Sequence, residues 1–253
     1  MNTDSVTLPS WMLASLAVLF IGLSKAGFGG GLGMLTTPLC VMAFGPTQAI
    51  GVLLPLLCAG DALSLYHYWR KWRVENLWFL LPGMVIGVAT GAQLFNRFSA
   101  RELNVIIGTM AVLFVLYQLA KETIFKKLTR FVPNHRLGFI CGLGAGVTST
   151  FAHGAGPVVN AFLIPQRFPK EIYTGTTVLV FTWMNGIKIP FFLNSGIITQ
   201  QTLYLSLLYL GLIPLGVWAG VWLNRRIPEK LFVKLVYLFT FLTGIQLIFE
   251  FKL

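Results

Sequence analysis

The sequence predicts an all-α polytopic membrane protein built from two inverted-topology repeats, each a glycine-broken helical hairpin followed by three transmembrane helices. Three observations predict it. Of the 253 residues, 56% are hydrophobic and 11% are charged, with a mean hydropathy of +0.76, whereas about a quarter of a soluble domain is charged. The net charge of +11 gathers in short clusters between apolar runs: Arg70, Lys71 and Arg73; Lys126, Lys127 and Arg130; Arg225 and Arg226. That is the pattern of cytoplasmic loops, and it argues against a nucleic-acid surface. Finally, two glycine-rich interruptions, 22–38 and 142–157, open corresponding parts of the two halves.

The first repeat takes residues 1–121. Its opening stretch 1–10 has no Lys or Arg, so it lacks the basic start of a cleaved signal peptide and the apolar run after it is expected to stay in the mature chain. Run 11–23 covers about 20 Å at the helical rise, short of a hydrocarbon core about 30 Å thick. Run 31–44 is also short and closes at Gly45 and Pro46, a turn signal. Together 10–44 read as a hairpin. Whether it crosses fully is open, but either way it returns the chain to its starting side. Span 49–69 ends at the Arg70 cluster among Tyr66, Tyr68 and Trp69, the aromatics of a membrane interface. Span 77–95 carries Gly87 and Gly91, a small-residue face suited to close packing. Span 103–120 then leads into the most basic loop, and 122–136 is a cytoplasmic linker.

The second repeat, 137–253, follows the same plan: hairpin 137–165, then spans 172–193, 203–223 and 231–249. Gly51 precedes Asp61 by the interval at which Gly175 precedes Asn185, and Gly87/Gly91 find a match in Gly216/Gly220. Asn96–Arg97 and Asn224–Arg225 close the corresponding spans. An odd number of net crossings per half turns the second repeat upside down and leaves both termini outside. Inverted repeats with paired interrupted segments are the architecture of secondary transporters, whose site lies at the midplane.

At this point the chain resembles a known family. Residues 24–38, from Ser24 and Lys25 through Gly29, Gly30 and Gly31 to Thr36, Thr37 and Pro38, resemble the opening motif of the sulfite exporter TauE/SafE family, which takes in 4-toluene sulfonate uptake permease-like membrane transporters. Residues 151–157, continued by Leu163 to Lys170, Gly175–Thr176 and Asn185 to Lys188, resemble its second-half signature. Val158 stands where that signature often has a second proline. The resemblance implies inverted halves in a bacterial inner membrane, and small sulfur-containing anions such as sulfite or organosulfonates as substrates.

A glycine-rich break leaves backbone groups that lipid cannot satisfy, so it points to a cavity, and restarting helices would aim N–H groups at it. The two breaks are expected to form one substrate site. Its candidate residues are Ser24, Lys25, Gly29, Gly30, Thr36 and Thr37 from the first break, and Thr148, Ser149, Thr150, His153, Gly154 and Asn160 from the second. Asn185 and Lys188, on one face of a span, complete the set. A cation inside a membrane is costly and suggests function or a paired charge: Lys25 either attracts the anion or pairs with Asp61, and Lys188 either faces the site or snorkels outward. Asp61 is the candidate for proton coupling, against a structural role beside Lys25. His153 either bonds the anion and relays protons or is a satisfied turn residue; it is expected to face Lys25 across the cavity. The hydroxyls either donate to the anion or bond back to their own helix.

Cys40, Cys58 and Cys141 lie in apolar runs without metal-binding spacing, so no metal, cofactor or catalytic residue is expected. The glycine runs also lack the ending of a phosphate loop. The expected partners are a small anion and the lipid bilayer, with proton coupling and homo-oligomerisation open. The expected function is a secondary exporter working by alternating access. An anion channel of the same fold is the alternative, and a membrane enzyme or sulfur-binding component a more distant one.

Overall fold

The computed structural model describes residues 8–25, 33–126, 133–224 and 229–250, and every regular element among them is a helix. In chain order these are α1 (Leu8–Lys25), α2 (Gly33–Phe44), α3 (Pro46–His67), α4 (Val74–Phe95), α5 (Ala100–Lys126), α6 (His135–Ala152) and α7 (Gly156–Leu163). A 3-10 turn (Ile164–Gln166) extends α7, and α8 (Lys170–Asn194), α9 (Gln200–Leu210), α10 (Leu212–Asn224) and α11 (Glu229–Phe249) follow.

Local chemistry sets the boundaries. Gly45, at φ 78, takes the left-handed turn between α2 and α3 without a Cβ penalty. Asn134 Oδ1 accepts from the Leu137 N–H at 2.9 Å and starts α6, and a reciprocal Thr199–Thr202 capping box starts α9. Helices α3, α4 and α8, with Ala100–Lys121 of α5, are each long and apolar enough to cross a membrane. The span expected at 203–223 is two helices, α9 and α10, bent by 41°. Pro214 accounts for this, since it has no N–H for the Leu210 carbonyl and its ring crowds that carbonyl. Large apolar side chains, among them Leu119, Leu207, Trp218 and Leu242, point outward. The protein is therefore an all-helical, multi-pass membrane protein.

The chain divides into two compact units, one of residues 1–60, 98–115 and 196–253, the other of 61–97 and 116–195. In the first, α1 packs on α2 and α10, and α2 on α11. In the second, α4 packs on α6 and α8, and α7 on α6 and α8. Each unit thus packs a hairpin from one half of the sequence against spans from the other.

The closest helix pairs depend on glycine. A Cβ at Gly87 of α4 would collide with the Leu143 carbonyl and lie 3.1 Å from the Gly146 Cα of α6. In the other unit, a Cβ at Gly216 of α10 would collide with the Leu19 carbonyl and lie 3.1 Å from the Gly22 Cα of α1. The small-residue faces expected from sequence are used in both. In the second unit this contact adjoins a core in which Leu80 and Met84 of α4 meet Ala145, Phe162 and Val180.

Candidate functional site

The second hairpin's break lies between α6 and α7. His153 caps α6 in the left-handed conformation, φ 50 and ψ 27, and its N–H donates to the Ser149 carbonyl at 3.0 Å. The Gly154 N–H donates to the Thr148 carbonyl at 3.2 Å. This turn satisfies carbonyls that would otherwise be orphaned at the helix end. The chain restarts as α7 with Pro157 in its first turn, where a missing N–H costs nothing.

Lys188 of α8 reaches this break. Its side chain is wholly buried, at 0% exposure. Its Nζ donates to Ser149 Oγ at 3.0 Å and lies 3.4 Å from the Ser149 carbonyl and 2.8 Å from His153 Nδ1. The Phe192 ring lies beneath the ammonium, 5.9 Å to its centroid. An ammonium can only donate, so beside it His153 Nδ1 is the acceptor and the neutral ring carries its proton on Nε2. One turn earlier on α8, Asn185 Nδ2 donates to Asp61 Oδ2 of α3 at 2.6 Å, and both residues are buried. The snorkelling alternative for Lys188 does not hold, because the side chain turns inward onto α6. The cation at His153 is Lys188, where sequence reasoning expected Lys25.

The other candidates are placed as follows. Thr148 and Thr150 give their hydroxyl protons to the Gly144 and Gly146 carbonyls of their own helix, at 2.8 and 2.9 Å. Asn160 Oδ1 accepts from the Tyr173 hydroxyl at 2.6 Å. Tyr173 escaped sequence reading because nothing in hydropathy separates it from an ordinary interfacial aromatic. A second missed buried pair is Gln166 Nε2 donating to Asn76 Oδ1 at 2.8 Å. Thr36 and Thr37 are buried on α2. Gly29 and Gly30 lie outside the described residues, as do the side chains of Ser24 and Lys25 at the end of α1. An open groove of about 490 Å³ lined by Phe79, Pro82, His135 and Arg136 sits at the start of α6, the end opposite Ser149.

Ser149, His153 and Lys188 therefore form one buried donor cluster, with Asn185 and Asp61 one helical turn away. An ammonium, a hydroxyl and an imidazole N–H are the groups that bind an oxyanion by charge-assisted hydrogen bonds. The sequence model of the Sulfite exporter TauE/SafE family matches residues 14–247, nearly the whole chain. The chain belongs to this family. No curated protein and no solved structure matches it. Membership in TauE/SafE implies a membrane transporter of sulfite-type anions, and the cluster at the α6–α7 break is where this member gathers the donors such a cargo needs.

Proposed function

We propose that this protein is a secondary transporter that exports small sulfur-containing anions, sulfite or organosulfonates, by alternating access. Lys188, Ser149 and His153 hold the anion for the second repeat. The observation that carries this reading is the fully buried Lys188, with Nζ 3.0 Å from Ser149 Oγ and 2.8 Å from His153 Nδ1. An ammonium kept deep in a membrane-spanning helix is expensive and is retained for a function. Neutral donors around one cation grip an anion yet let it leave, which a transporter needs. Thr148 and Thr150 have already given their hydroxyl protons to the backbone, so they wall the site rather than donate.

Two features support inverted repeats. Asp61 and Asn185 stand at matched positions, 124 residues apart, and are hydrogen-bonded to each other. Positions exchanged by a two-fold axis meet only close to that axis, so the pair fits the pseudo-symmetry of inverted repeats. Gly51 of α3 packs on the Ile197 carbonyl in the loop after α8, and Gly175 of α8 packs on the Lys71 carbonyl in the loop after α3. That reciprocity is what a two-fold relation produces. The basic clusters support placement in a bacterial inner membrane with both termini outside. Asp61, a buried carboxylate one turn from the cation's level, is the proton-coupling residue of this scheme.

Proteoliposome flux tests the proposal, with labelled sulfite, sulfonates and thiosulfate offered under a pH gradient and under a membrane potential. Saturable uptake with counterflow is expected. Absence of movement of every anion under both gradients contradicts the proposal, and non-saturating flux without counterflow would identify a channel.

A further inference from the structure

The interval of 124 residues that relates Asn185 to Asp61 extends well beyond that pair. It relates the first residue of α8, Lys170, to the first of α3, Pro46. It relates Gly175 to Gly51. It also relates Leu143 and Gly146, which receive Gly87, to Leu19 and Gly22, which receive Gly216. Helix start, span glycine, hairpin packing and central polar pair thus share one register.

In that register, Ser149 corresponds to Lys25 and Lys188 corresponds to Ser64. Ser149 and Lys25 both stand in the last turn of the first hairpin helix, α6 and α1. Lys188 stands one turn after Asn185, and Ser64 one turn after Asp61. We infer that the first repeat carries the same ammonium–hydroxyl pair with its members exchanged, Lys25 taking the role of Ser149's position and Ser64 that of Lys188's. Each repeat then supplies one ammonium to the anion, from the hairpin in one half and from the span in the other. Ser64 becomes a substrate-site residue on this basis. His153 has Gly29 as its counterpart, so the imidazole belongs to the second half alone. The inference rests on Lys188 being an anion ligand.

The idea makes a demand that chance would not meet: an ammonium must work from either position of a repeat. Exchanging the pair keeps the same two residues, so total side-chain volume is conserved in a site that is fully packed around Lys188 and Ser149. Lys188→Ser, the exchange variant Lys188→Ser with Ser149→Lys, Lys25→Ser and the mirror exchange Lys25→Ser with Ser64→Lys are purified as full chains. Sulfite binding is measured by calorimetry, and folding by monodispersity and melting temperature.

Each single variant is expected to weaken binding by about tenfold or more, the scale of a lost hydrogen bond to a charged group. Each exchange is expected to recover most of that loss. If Lys188→Ser binds poorly and a folded exchange variant binds no better, the exchanged pair is wrong while the anion site at Lys188 survives. If the first exchange does not fold, the mirror exchange decides by the same comparison, and failure of both to fold also overturns the pair. Wild-type affinity in Lys188→Ser removes the anion site itself.

Discussion

The two helical hairpins of this protein share a packing frame and differ in their chemistry. Hairpin α1–α2 packs against α10 and hairpin α6–α7 against α4, each through a glycine seated on a leucine carbonyl and a second glycine Cα at 3.1 Å. Yet the matched polar positions hold different groups: Asp61 against Asn185, Ser64 against Lys188, Lys25 against Ser149 and Gly29 against His153. Apolar contacts constrain shape and tolerate only small residues, so both copies of a repeat keep them. Polar groups are constrained by their sum over both copies, so charge and hydroxyl can change places while the fold stays the same. This comparison teaches that symmetry in a transporter is better read from its glycines than from its charges.

The shared frame is where substitution should act most strongly. Gly87→Ala and Gly216→Ala each force a Cβ into a facing backbone carbonyl, and each should cost about 1–3 kcal/mol of stability, read as a drop in melting temperature. A matched loss sharpens the comparison, and tolerance of one with loss of the other breaks it. Gly186→Ala is the control: nothing lies within 4 Å of its Cβ position, so it should be neutral or stabilising by up to about 1 kcal/mol through helix propensity.

The differing polar positions come next. Asp61→Asn makes the central pair Asn–Asn, which keeps a hydrogen bond and should leave folding intact. Accumulation driven by a pH gradient should fall about tenfold while counterflow persists, since one titrating carboxylate is gone. Equal gradient-driven accumulation in the variant would assign coupling elsewhere. Tyr173→Phe removes the 2.6 Å bond to Asn160 in the second hairpin and should lower stability by about 1 kcal/mol.

The smallest effect belongs to Glu250, just past α11. The Asn104 amide first, and Arg101 second, hold its carboxyl below the ordinary value of 4.5. A depressed folded-state value stabilises the fold above the unfolded value, and that contribution is lost as pH falls through the folded one. Glu250→Gln should therefore melt slightly below the wild type at neutral pH, and the difference should vanish in acid. A difference that grows on acidification would contradict this sign.

The spans were legible because apolar runs bounded by basic clusters leave few alternatives, and α3, α4 and α8 fall where hydropathy puts them. The bend between α9 and α10 was missed although Pro214 was in view, because an apolar window averages over a proline. The pairing of each hairpin with spans from the other half has no local signature, since the glycines of a packing face do not name their partner. The same gap explains His153. Spacing placed Asn185 and Lys188 on one face of a helix, but only the fold determines that this face meets α6 and brings Lys188, not a first-half lysine, to the histidine. Thr148 and Thr150 took the back-bonded option that sequence had left open beside the anion-binding one.

Sulfite counterflow in proteoliposomes, compared between wild type and Lys188→Met at matched incorporation, tests the central claim most directly. Methionine fills the lysine's volume without its charge, so the helices should stay packed. The account predicts a fall in counterflow of about tenfold or more with an unchanged melting temperature, the size expected when a charged donor is lost from the site. Counterflow at the wild-type rate in the folded Lys188→Met protein would contradict it.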